Sequence, residues 1–468
     1  MTNMKTRLHC LSTGLALLAL STLNPQLSTA FAQGSLDATF NTGSGAEDDV
    51  QALAVQSNGK IIAAGLFNDI NGTANSLGIA RLNTNGVVDS GFNPGTSVDY
   101  GINSVAIQPD GRIIIGGGFT QYQGASRNGI ARINADGSLD TNFNPGTGVD
   151  DQITSVALQA DGKVVIAGYF TSYNGTNRSG IARVNTNGTL DVTFNPGTGL
   201  DFAVDSVMVQ MDGKILLGGG FTTYNGTSRR GVARVNSDGS LDTTFNPGAT
   251  SVDNLVRVAM AQPDGKVIIG GDFTTFNGVS RNGIARLNTN GTLDTSFNPG
   301  VGANGSVYSL ALQPNGKIIV GGNFTSITGI PRSNIARLLP NGTLDNNFGT
   351  GTDTSVLAMA LQTDGKAVIG GQFVSVNSAS NVRLARLLLS DTAPAPNISA
   401  FSTSGGNPTL TWTSAASRIY RVEFTPSLSP AGWTVFVPNI IATNSTASFV
   451  DTTTAATQRF YRSVWLPY

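Results

Sequence analysis

From residue 50 onward, apolar and polar positions fall into short alternating runs separated by Asp-Gly and Asn-Gly turns, and the same succession returns about every 51 residues. In one such unit, Asn103 to Gln108 alternates, Arg112 to Phe119 is a nearly continuous apolar run with glycines, and Gly129 to Asn134 and Ser138 to Phe143 complete the set. Runs of this length and period predict strands, four to a unit. Pro109-Asp110-Gly111 joins the first strand to the second and Ala135-Asp136-Gly137 joins the third to the fourth. Both have the form of a type I turn followed by a left-handed glycine, a three-residue hairpin loop.

Each unit carries four sequence elements: Gln-x-Asp/Asn-Gly-Lys/Arg beginning at Gln56 and last at Gln362, Gly-x-Phe, apolar-Ala-Arg, and apolar-Asp-x-x-Phe. The third-to-fourth turn fixes a register in which Asn134 faces Ser138, Ile133 faces Leu139 and Arg132 faces Asp140. The same count pairs Arg81 with Asp89, Arg183 with Asp191, Arg234 with Asp242, Arg286 with Asp294 and Arg337 with Asp345 as structural ion pairs. One Asp element, Leu36 to Phe40, precedes the first complete unit, and none follows the last. A ring reconciles the two ends: the segment Ser35 to Phe40 serves as the outer strand of the seventh blade and pairs Asp37 with Arg386. The expected fold is all-β, a seven-bladed propeller of four-stranded blades over residues 34–390.

The run GSLDTNFNPGTGVDDQITSVALQADGKVVIAGYFTSYNGTNRSGIARVNTNG resembles the delta-60 repeat of secreted bacterial proteins, and the resemblance extends over all seven copies. It implies a propeller-type repeat and brings no activity or catalytic residues with it. The period of about 50 is also close to that of kelch propellers. Residues 391–397, Asp-Thr-Ala-Pro-Ala-Pro-Asn, read as a linker. The tail, 398–468, alternates in strand fashion and resembles a fibronectin type III-like β-sandwich through Tyr420-Arg421-Val422-Glu423 and Phe460-Tyr461-Arg462.

Lys5 and Arg7 precede an apolar stretch from Leu11 to Leu20, and Ala30-Phe31-Ala32 is a small-x-small cleavage pattern, so residues 1–32 read as a signal peptide cleaved near Ala32. The protein is expected to be secreted or held at the cell surface without a membrane span. The single histidine and the single cysteine, His9 and Cys10, fall inside that leader, which takes disulfides, His or Cys metal sites and Ser-His-Asp chemistry out of the mature chain. Composition agrees with many short strands and tight turns, with 58 glycines in 468 residues and 12% charged residues. A net charge of −1 gives no electrostatic case for nucleic acid.

In a propeller the tight turns share one face and the longer loops the other, so ligands are expected on the long-loop face. Two rings are candidates there. Glu47, Asp99, Asp150, Asp201, Asp253, Asn304 and Asp353 precede the innermost strands, with further carboxylates at Asp48, Asp49, Asp151 and Asp205. Converging carboxylates suit calcium or a cationic ligand group; alternatively each caps its own loop or pairs with an arginine of the set Arg127, Arg178, Arg229, Arg281 and Arg332. The second ring, Tyr122, Tyr173 and Tyr224 with Phe276 and Ile327, either stacks on sugars or packs between blades. No cofactor is required. The leading function is a monomeric, non-enzymatic binding or adhesion scaffold for a glycan or a surface protein. A polysaccharide-active enzyme using Asp, Tyr and Arg on that face, and a purely structural envelope component, are the alternatives.

Overall fold

The computed structural model describes residues 33–72, 77–349, 351–389, 398–404, 407–413, 419–425, 434–441, 446–452 and 460–466. The leader and the 391–397 linker lie outside the described residues. No helix among the described residues is long and apolar enough to cross a membrane.

Seven antiparallel sheets repeat one plan. In the second blade the inner strand Ile102–Ile107 pairs with Ile113–Gly117, and that strand pairs with Ile130–Ile133. The fourth, outermost segment is shorter than its sequence pattern predicts. It meets the third strand at one bridge, Ile133 opposite Leu139, flanked by Asn134 N to Ser138 O at 2.8 Å and Asp140 N to Arg132 O at 2.9 Å. Gly137, at φ 92°, closes the turn between them. Seven inner strands stand side by side around an axis, and that of the seventh blade, Val356–Leu361, lies against that of the first, Val50–Val55. Ser35–Leu36 pairs with the seventh blade's third strand, Leu384–Leu388, giving that blade a sheet of four.

Apolar side chains of neighbouring sheets interdigitate to form the core. Ile102, Ile113 and Ile115 pack with Ala52, Ile62 and Ile79 of the preceding blade, all of them buried. The polar hub of each blade is the Arg-Asp pair. Arg132 Nε donates to Asp140 Oδ2 at 2.7 Å, both side chains being buried, and the guanidinium lies 5.1 Å over the ring of Phe143. Its Nη1 crosses to the next blade and donates to Thr186 O at 2.5 Å. The arrangement recurs for Arg81 with Asp89, Arg183 with Asp191, Arg234 with Asp242, Arg286 with Asp294 and Arg337 with Asp345, at 2.6–2.9 Å. Across the join, Arg386 Nε reaches Asp37 Oδ2 at 2.8 Å and Arg386 Nη1 reaches Thr84 O of the first blade at 2.5 Å.

The signature lysine shares the same carboxylate. Lys163 Nζ is 2.8 Å from Asp191 Oδ2, while in the second blade Arg112 takes the lysine's place at 3.5 Å from Asp140. Two cations per carboxylate matter because a buried charge needs its partners to offset lost hydration. The tail forms two further three-stranded sheets, 398–404 with 407–413 and 446–450, and 434–441 with 419–425 and 460–466. Leu410 and Trp412 of one sheet pack with Tyr420, Val422 and Tyr461 of the other.

Replacing Asp191 with Ala strands the buried Arg183 and the adjacent Lys163, and the expected cost is about 3 kcal/mol by denaturant titration. A loss below about 1 kcal/mol would remove the pair from its structural role. Burial pushes the Asp89 carboxyl up, but Lys60, the Gly91 N–H and Arg81 outweigh it and hold it down at about 2. A depressed carboxyl contributes stability that is present above its ordinary value of 3.8 and lost as pH falls toward 2. Acid unfolding is therefore expected to be concentrated below pH 4.

Candidate functional site

Of the two rings expected from the repeats, the aromatic one is buried and the acidic one caps loop backbone. Tyr122, Tyr173 and Tyr224 are 0–1% exposed. Their hydroxyls donate to the tight-turn carbonyls of Gly137, Gly188 and Gly239 at 2.6, 2.6 and 2.5 Å. The reason lies in the second-to-third loop, which is a small hairpin rather than an open connection: Ser172–Tyr173 pairs with Thr176–Asn177 through Asn174 and Gly175, both at positive φ, 47° and 74°. Val149 bridges Tyr173, so the hairpin folds over the outer edge of its blade and drives the ring into the rim. A sugar platform on these tyrosines is excluded, and Phe276 and Ile327 are buried in the same way.

The acidic ring holds that hairpin in place. Asp150 Oδ1 accepts from Thr171 N and Ser172 N at 2.8 and 2.9 Å, and its Oδ2 accepts from Thr171 Oγ1 at 2.5 Å. Asp99, Asp201 and Asp253 repeat this set, and Asp353 accepts from Val374 N and Ser375 N at 3.0 Å. Asn304 makes the same backbone contacts at 2.9 Å, so the position needs an acceptor oxygen and not a charge. Burial opposes ionisation of Asp150, but these hydrogen bonds outweigh it and lower its carboxyl. Glu47 stands exposed at the matching place of the first blade. Among the described residues no three acidic side chains gather as a metal would require. The arginines of the hairpins turn elsewhere; Arg178 Nη1, for example, donates to Asn177 O at 2.8 Å.

A different ring lines the channel. In every blade the register between inner and second strand slips by one residue: Ile153 faces Gly168, but Ser155 faces Ala167. The extra residue is a β-bulge, which takes a side chain out of the ladder and re-aims it. The bulged residues are Gln51, Asn103, Thr154, Asp205, Arg257, Tyr308 and Leu357, seven different side chains in otherwise near-identical units. They reach sideways along the channel wall. Asn103 Nδ2 donates to Ile153 O at 2.9 Å and Thr154 Oγ1 to Val204 O at 2.5 Å, each in the following blade.

Charge concentrates at blades four and five. Arg257 Nε and Nη2 lie 3.0 and 2.7 Å from Asp272 Oδ2, and Arg257 Nη1 is 3.5 Å from Asp205 Oδ2. Asp272 Oδ1 is buried without a partner among the described residues. The Asp205 side chain is 12% exposed, and burial, relieved in part by Arg257 and reinforced by Asp272, pushes its carboxyl up to about 6. Beside it, Tyr169 and Phe202 meet edge to face with centroids 6.4 Å apart. Burial and the nearby Asp205 carboxylate raise the Tyr169 phenol, with Asp151 adding to the effect. Tyr100, Tyr169 and Phe202 are 65%, 39% and 59% exposed. The Phe202 ring lies over Gly220 and the Tyr100 ring over Gly118, where a Cβ would collide with them. Asp205 and Asp151 figured in the sequence only as background charge; Arg257, Asp272, Tyr169, Phe202 and Tyr100 are visible there as departures from the repeat.

Tyr122→Phe removes the hydroxyl that donates to Gly137 O and is expected to cost about 1 kcal/mol in denaturant titration. Asp205 carries a raised carboxyl, so the folded chain holds its proton more tightly than the unfolded chain. Its contribution to stability is therefore full near pH 4 and is lost as pH rises through 6. Asp205→Asn should abolish that loss, visible as a smaller fall in Tm between pH 4 and 7 than in the parent protein.

Seven segments, residues 56–92, 108–143, 159–194, 210–245, 262–297, 313–348 and 362–392, match the family described as domain of unknown function (DUF5122) beta-propeller. No curated protein matches the chain. Among solved structures it is similar to the WD40 beta propeller domain of Doa1, at 14% identity and TM-score 0.48, over 78% of this chain and 99% of that one. It is also similar to the extracellular domain of BT3049, a candidate hybrid two component system from B. thetaiotaomicron, at 13% identity and TM-score 0.47, over 90% and 54% of the two chains. Virginiamycin B lyase from Staphylococcus aureus aligns at 14% identity and TM-score 0.45, over 74% and 97%. With its seven matched repeats spanning more than half of the 468 residues, the chain belongs to the DUF5122 beta-propeller family.

Proposed function

We propose that this protein is an exported, non-enzymatic scaffold that binds a carbohydrate chain at the long-loop mouth of the propeller channel. The observation that carries this reading is the pair of exposed aromatic rings Tyr169 and Phe202, in contact with each other, with Tyr169 in electrostatic reach of the Asp205, Arg257 and Asp272 cluster. Aromatic faces take the apolar side of a sugar ring while planar polar groups take its hydroxyls. Export follows from the charged, apolar and small-residue pattern of residues 1–32. The tail, in the fibronectin-like assignment, serves as a spacer or attachment module.

A second reading rests on one specific observation. Asp205 and Asp272 differ in environment, one raised to about 6 and one tied to Arg257, the division of labour that glycoside hydrolysis asks of two carboxyls. Release of reducing ends from a polysaccharide by the parent protein and not by Asp205→Asn would favour the enzyme over the scaffold.

In affinity electrophoresis through gels containing soluble polysaccharides, the parent protein is expected to be retarded by at least one of them. Tyr169→Ala with Phe202→Ala should abolish the retardation, since both rings are surface groups whose removal leaves the core intact, whereas Tyr122→Phe should migrate like the parent. Equal retardation of the parent and the double variant would place the ligand elsewhere.

A further inference from the structure

The ion cluster beside Tyr169 is unbalanced, and the imbalance points to a ligand chemistry. Arg257 directs two of its nitrogens, at 3.0 and 2.7 Å, to one oxygen of Asp272. Only its third nitrogen faces Asp205, at 3.5 Å, longer than a good charge-assisted hydrogen bond. Two carboxylates thus share one guanidinium, and the wall carries a surplus acceptor on Asp205 and another on Asp272 Oδ1. Both are largely shielded from water, where an unpaired carboxylate is costly. Asp151 adds a further negative charge next to Tyr169.

The bulge keeps this surplus from being satisfied within the fold. Asp205 stands outside the ladder, between Val204, which faces Gly219, and Ser206, which faces Gly218, so its carboxylate is aimed at the channel wall. Tyr169 lies within electrostatic reach of Asp205 and meets Phe202 edge to face, and the π-systems of such rings attract a cation as a carboxylate does. A neutral sugar would leave the surplus acceptors unmatched by charge. An anionic sugar would meet them with like charge. A sugar bearing a free, protonated amine supplies both the positive charge and up to three N–H donors.

We propose that the mouth site selects carbohydrates carrying an unacetylated, protonated amino group, with Asp205 as the residue that reads the ammonium and Tyr169 and Phe202 as the faces that flank it. This rests on the carbohydrate reading above. The test is calorimetric titration of the mature chain at pH 7 with three β-1,4-linked oligosaccharides of equal length, built from glucosamine, N-acetylglucosamine or glucose. The glucosamine oligomer is expected to bind roughly tenfold or more tightly than the other two, a difference of about 1.4 kcal/mol. Asp205→Asn, which removes a buried charge and should fold, is expected to erase that preference while leaving residual binding. Phe202→Leu, at an exposed position, should weaken all three sugars together. Equal affinity for the three sugars, or a preference that survives Asp205→Asn, overturns the amine selectivity and leaves the carbohydrate site standing. Absence of binding to all three, with circular dichroism showing a folded chain, overturns the amine proposal, and the polysaccharide gels then decide the broader reading separately.

Discussion

The fold depends on a buried carboxylate answered by two cations. In six blades the outermost segment is held to the third strand by a single bridge, and in the seventh by the two residues Ser35 and Leu36, too little backbone pairing to fix it alone. The side chains do what the ladder does not: Asp191 draws in Arg183 and Lys163, Arg183 lies over Phe194, and its free nitrogen bonds the turn of the next blade. One guanidinium thereby ties its own outer segment, its own core and its neighbour. This explains why the repeat keeps Arg, Asp and Phe together at fixed spacing. The ring joins its ends with the same unit, Arg386 meeting Asp37, Phe40 and Thr84.

The long-loop face shows how a repeat separates scaffold from site. Residues shared by all blades are committed to structure. The aspartates before the inner strands cap hairpins, and the tyrosines brace those hairpins against the tight turns. What remains for recognition is the set of residues that differ between blades, at the bulges and around the mouth. The Tyr169 and Phe202 pair and the Asp205, Arg257 and Asp272 cluster both belong to that set.

The architecture was legible because its information is redundant: one hairpin count predicts the Arg-Asp register six times over, and the unpaired Asp element at Leu36 to Phe40 calls for a closed ring that supplies the seventh. The tyrosines were misplaced for a physical reason. Asn174-Gly175 is a strong two-residue hairpin signal, and treating the segment as a loop left its aromatic residue on the surface instead of folded over the rim. The acidic ring looked like a cation site because charge is visible in a sequence and backbone N–H groups in want of a cap are not; Asn304 was the one hint. The Asp205, Arg257 and Asp272 cluster leaves no mark in the repeat pattern, because these positions differ from blade to blade and a bulge does not disturb apolar-polar alternation.

The bulges also bear on how such a chain can change over generations. A residue inside the ladder is constrained by the partner it faces, but Asp205 and its six counterparts have no such partner, and substitution there shifts no register. Seven addresses on one rigid frame can therefore vary without moving the strand register. Relatives with the same blades and altered bulges would keep their architecture while presenting a different set of side chains at these positions.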